Sequence, residues 1–67
     1  MAETIFVVTE SPDGGFEAEA LDVSIYTEAD DWNSLRENIK EAISCHFEDG
    51  DERIVRMHFV KDEVLTV

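Results

Sequence analysis

Cys45 and His46 stand side by side, and with His58 they are the residues of this chain best suited to nucleophilic or proton-transfer chemistry. A Cys-His pair can supply a nucleophile and its base when the two side chains meet. Consecutive residues on a helix project about 100° apart and do not meet. His46 falls by angle in the same arc as Ile39, Ala42 and Ile43, so the spacing predicts a histidine packed at the core margin near a helix end. His58 lies between Ile54 and Val60 in an apolar run and reads as a strand residue. Neither histidine has metal-ligand spacing to Cys45 or to a carboxylate. Gly14-Gly15 follows Asp13 and precedes a strand pattern, with no Lys or Ser/Thr to complete a phosphate loop. The residues therefore predict no catalytic group, no metal site and no cofactor.

The carboxylates carry more information than any of these. Seventeen Asp and Glu face five Lys and Arg, a net charge of -12. Nine of the acids (Glu3, Glu10, Asp13, Glu17, Glu19, Asp22, Glu28, Asp30 and Asp31) precede the first base, Arg36. Nucleic-acid affinity comes from basic side chains that release counterions, so no direct nucleic-acid binding is expected, and an acidic membrane surface is disfavoured on the same ground. A basic protein is the favoured partner, because complementary fields steer association. Glu17, Glu19, Asp22 and Glu28 are the candidate partner-binding residues.

The elements that must position them are short. Sixty-seven residues make one domain, spanning 1–67, and a chain of this size buries only about 60% of its unfolded surface. At 43% apolar and 9% aromatic residues it is too hydrophobic for a disordered acidic tail. A lone cysteine cannot form an internal disulfide. No apolar run approaches the roughly 20 residues that span a bilayer, and Met1-Ala2-Glu3-Thr4-Ile5 has no basic signal-peptide start. A cytoplasmic protein with a reduced thiol is expected.

Thr4 to Thr9 reads as a β-branched strand, stopped by the turn Ser11-Pro12-Asp13-Gly14-Gly15. Phe16 to Leu21 alternates apolar and acidic residues, the pattern of a half-buried antiparallel strand. Val23 to Thr27 predicts a third strand. Asp31 is the expected N-cap of a helix from Trp32 to Phe47, whose apolar face is Trp32, Leu35, Ile39, Ala42, Ile43 and Phe47. Gly50 is the expected helix stop. Arg53 to Val60 predicts a fourth strand, and Val64 to Val67 a short edge strand. The fold class is α+β, in the order β-β-β-α-β with a further β: a mixed sheet with one helix on one face. A right-handed crossover places the fourth strand parallel to the first. The first strand is apolar on both sides, with Phe6 and Val8 on one and Ile5 and Val7 on the other. One helix covers one side, so a homodimer or higher oligomer, or a partner protein, is expected to cover the second.

The stretch from Phe6 to Leu21, with its Asp13-Gly14-Gly15-Phe16 turn, resembles the opening of HicB-like antitoxin domains. The likeness continues through Thr27-Glu28-Ala29-Asp30-Asp31-Trp32 and into Leu35, Ile39, Glu41-Ala42 and Ile43. The resemblance implies a fold like a partial ribonuclease H. It also implies a non-catalytic antitoxin domain that masks a small basic toxin, one that has a double-stranded-RNA-binding-like fold and cleaves messenger RNA. Leu21-Asp22-Val23-Ser24-Ile25 stands where the family has a Pro-Asp-Leu-Pro-Gly segment. With the chain ending at Val67, no DNA-binding domain and no operator binding are expected. The alternatives are an orphan structural or oligomeric domain, or a small enzyme or accessory subunit of one, in which carboxylates with His46 or His58 serve hydrolysis. A 2-oxoacid dehydrogenase is not supported, for lack of a thiamine diphosphate motif and of chain length.

Overall fold

The computed structural model describes residues 2–47 and 52–67. Its elements follow the expected order: β1 (Ala2–Glu10), β2 (Phe16–Ala20), β3 (Tyr26–Ala29), α1 (Trp32–His46) and β4 (Arg53–Phe59). The four strands form one sheet in the order β3-β2-β1-β4. β1 is antiparallel to β2 and parallel to β4, and β2 is antiparallel to β3. The α+β class, the single helix and the parallel placement of β4 beside β1 all stand as expected.

Alternation sorts the sheet into two faces. Phe6 pairs with Ala20 and Val8 with Ala18, while Met57 and Phe59 pair with Phe6 and Val8 from the other side. These residues face α1. Phe6, Val8 and Leu35 are fully buried and Ile39 nearly so, with Ala18, Ala20 and Ile25 completing the core. Burial of each large apolar side chain contributes about 1.5–3 kcal/mol, which makes these four the main hydrophobic anchors of a thin core. An aromatic triangle closes one end. Phe16, Trp32 and Phe59 meet edge to face at centroid distances of 5.4, 5.8 and 5.6 Å, tying β2, the start of α1 and the end of β4 together.

Local chemistry sets the boundaries. Asp31 caps α1, its carboxylate accepting from the Ser34 amide at 2.7 Å and from the Ser34 hydroxyl at 3.1 Å. The Asn38 side chain donates to the Glu28 carbonyl at 3.0 Å, fixing α1 against β3. Gly14 and Gly15 both adopt positive φ in the β1–β2 turn. At Gly15 a Cβ would lie 2.6 Å from the Ala29 carbonyl oxygen, so glycine there permits the turn to press against the end of β3.

Several boundaries differ from the sequence expectations. The third strand begins at Tyr26 rather than Val23. Residues 21–24 form a turn, the Ile25 amide donates back to the Val23 carbonyl at 3.0 Å, and Ile25 is buried as a core plug. Its alternation with Val23 therefore reports burial in a loop, and pairing starts only where Tyr26 meets Glu19. Helix α1 ends at His46, and Phe47 is its C-cap. Val60 lies just beyond β4, though its amide still donates to Val8 at 2.8 Å. Residues 64–67 form no strand and are exposed, because among the described residues no strand lies beside them. The expected helix stop at Gly50 lies outside the described residues.

Candidate functional site

The face of the sheet turned away from α1 carries Ile5 and Val7 of β1, Glu17 and Glu19 of β2, Tyr26 and Glu28 of β3, and Ile54, Arg56 and His58 of β4. Register puts them there: Val7 pairs with Glu19 and His58, and Glu17 pairs with Glu28. Ile5 and Val7 are only half-buried, whereas Phe6 and Val8 on the helix side are fully buried. The two-sided apolar character of β1 thus leaves a partly apolar strip open.

Beside that strip lies an acidic patch built around one phenol. The Tyr26 hydroxyl donates to Glu17 Oε1 at 2.7 Å, with Glu28 Oε2 at 3.3 Å. A single O–H serves one acceptor at a time, so the shorter contact holds the proton and Glu28 stays close without a full bond. The Glu17 hydrogen bond pushes the Tyr26 pKa up to about 12, with desolvation and the charges of Glu17 and Glu28 adding to the effect. The hydroxyl therefore stays protonated and remains a donor through the physiological range. A shallow hollow of about 220 Å³ is lined by Val7, Thr9, Glu17, Glu19 and Tyr26. A second, of about 540 Å³, runs along Glu19, Leu21, Asp22 and Tyr26. Glu19 and Tyr26 belong to both.

The four sequence candidates are accordingly neighbours. Glu17 and Glu28 are bonded or nearly bonded to Tyr26, Glu19 pairs with Tyr26 across the strands, and Asp22 lines the adjoining hollow. Tyr26 is the residue that sequence reasoning passed over. Its signal was weak: a tyrosine two residues before a glutamate in a short strand, meaningful only once the β2–β3 register is known.

The histidines do not converge. His46 is exposed at the end of α1 rather than packed at the core margin. Phe47 takes the inner position there, carrying the His46 ring against its edge at 4.7 Å and the Arg53 guanidinium over its face at 3.6 Å. Cys45 is exposed beside it. His58 is exposed on the opposite face of the sheet. Among the described residues no group of three His, Cys, Asp or Glu could hold a metal ion, and no helix is long and apolar enough to cross a membrane.

The chain is 42% identical over 65 residues to a UPF0150 protein of Thermotoga maritima, covering 97% of this chain and 93% of that protein. A UPF0150 protein of Archaeoglobus fulgidus is 47% identical over 47 residues, 70% of each chain. The chain belongs to the UPF0150 family. UPF0150 is a HicB-like family, so the resemblance seen in the hairpin and helix entry holds at the level of a small HicB-like domain. No family model matches the chain, and no solved structure matches it significantly.

Proposed function

We propose that this UPF0150 protein is a non-catalytic binding module that docks a small basic protein on the Tyr26-centred acidic face, as a HicB antitoxin domain masks a basic RNA-cleaving toxin. The observation that carries the reading is the direct opposition of Glu17 and Glu28 across β2 and β3. Like charges directly opposite one another destabilise a strand pair. Here the Tyr26 hydroxyl stands between them, and a Lys or Arg from a partner would relieve the repulsion. Half-buried Val7 and exposed Leu21 flank the acids, providing apolar surface for the centre of a contact whose charged members set the approach rate.

The test is binding of the purified protein to a small basic protein encoded beside it, followed by surface plasmon resonance at several salt concentrations. Glu17→Gln with Glu28→Gln is expected to lower the association rate several-fold and to flatten its salt dependence. The reading fails if no complex forms at tens of micromolar, or if complexes form indifferently to changes at Glu17, Glu19, Asp22 and Glu28.

A further inference from the structure

β4 is an edge strand: among the described residues the order β3-β2-β1-β4 leaves one of its sides without a partner strand. Such an edge offers a row of backbone donors and acceptors to another chain. The opposite edge, β3, has four residues, whereas β4 has seven and no proline. Beyond β4 lies an arm, residues 61–67, whose Val64 and Leu65 are 90% and 74% exposed. The Cα radius of gyration is 13.4 Å, against about 11 Å for a compact chain of this length, and the longest dimension is 52 Å beside 20 and 18 Å. Past Lys61, which lies 3.6 Å from Glu10, the arm is exposed and stands clear of the domain.

We propose that segment 53–67 pairs antiparallel with the same segment of a second copy of this chain, about a two-fold axis at Phe59. The register follows from the backbone. The Val60 amide points inward to Val8, so Phe59 and the other odd-numbered residues of β4 turn their amides to the free edge. A two-fold axis perpendicular to the sheet preserves faces and pairs odd residues with odd. Centred on Phe59, it sets Phe59 opposite Phe59, Arg56 opposite Asp62 and Ile54 opposite Val64. An acidic residue of the arm thus meets a base of the strand, and an apolar residue of the arm meets an exposed isoleucine, itself 47% exposed in the single chain. Arg56 already holds Glu3 at 2.9 Å, and Asp62 would approach the same guanidinium from the other side. The contact is isologous, each copy giving strand and arm, and produces a continuous eight-stranded sheet that leaves the Tyr26 face of both copies open.

Sedimentation equilibrium of the intact protein is expected to give twice its 7.6 kDa mass. Val64→Asp with Leu65→Asp, at exposed positions of the arm, should return the monomer mass with an unchanged circular dichroism spectrum. Arg56→Asp should weaken the dimer tenfold or more, and adding Asp62→Arg should restore it. In a Cys45→Ser background, Ile54→Cys with Val64→Cys should yield a covalent dimer under mild oxidation. A monomer at millimolar concentration would overturn the proposal, as would a dimer indifferent to the arm substitutions or one in which residues 54 and 64 fail to cross-link.

Discussion

Tyr26 shows how one side chain can hold an acidic patch in a defined arrangement. Its hydroxyl reaches Glu17 diagonally, two residues from its direct partner Glu19, a distance an aromatic ring spans easily across antiparallel strands. The consequence can be titrated. The Glu17 hydrogen bond raises the phenol pKa from 10.0 to about 12, so the folded chain holds this proton where the unfolded chain releases it. The stabilisation is fully present below pH 10 and is lost as the pH climbs from there toward 12. Tyr26 is the single tyrosine, so tyrosinate absorbance reports it alone. The midpoint should lie well above 10 in the native protein and move back toward 10 in Glu17→Gln. An unshifted midpoint in the wild type would show that the hydrogen bond does not form. The acidic run that holds the four carboxylates could be read from charge distribution alone, although it contains nine acids and does not single out these four. Tyr26 could not, because its role depends on a register that no spacing within one strand encodes.

Among the elements, the hairpin, helix and β4 were legible because each has a period that matches its environment. Phe16-Glu17-Ala18-Glu19-Ala20 alternates because one face meets the core, and Leu35 and Ile39 stack on one side of α1 for the same reason. The third strand was legible only in its second half. Val23 and Ile25 keep strand spacing while serving a turn, and a two-residue period cannot separate a paired strand from a loop that buries alternate side chains. The arm misled in a related way: Val64 to Val67 has strand composition but no partner strand among the described residues. The β1–β2 turn allows a sharper test. Gly14 and Gly15 have similar positive φ, near +88° and +84°, yet a Cβ on Gly14 meets open space while one on Gly15 strikes the Ala29 carbonyl. Gly14→Ala is expected to lose about 1 kcal/mol from backbone strain, and Gly15→Ala roughly 2–3 kcal/mol or more because a clash adds to it. Denaturant midpoints at a shared slope would measure both. Equal losses would mean that the turn does not press on β3.

At the scale of the whole molecule, charge acts on folding and on association in opposite senses. A net charge of -12 on 67 residues repels itself, and compaction brings those charges closer. The ion pairs seen among the described residues lie at the surface: Arg56 holds Glu3 at 2.9 Å, Lys61 lies 3.6 Å from Glu10, and Lys40 lies 3.7 Å from Glu37. Exposed pairs of this kind contribute about 0–1 kcal/mol each, too little to cancel the excess. Raising ionic strength from about 0.01 to 0.15 M shortens the screening length from about 30 to 8 Å, less than half the 20 Å breadth of the fold. Repulsion between distant acids then fades while the short ion pairs lose little. The thermal midpoint, followed by circular dichroism at fixed protein concentration, should therefore rise with sodium chloride over this range. The association rate with a basic partner should fall over the same range, because the field that strains the fold is the field that draws the partner in. A midpoint that drops with salt would mean that local ion pairs, rather than the uncompensated acids of β2 and β3, dominate the electrostatics, and the acidic face would lose its claim to steer a partner.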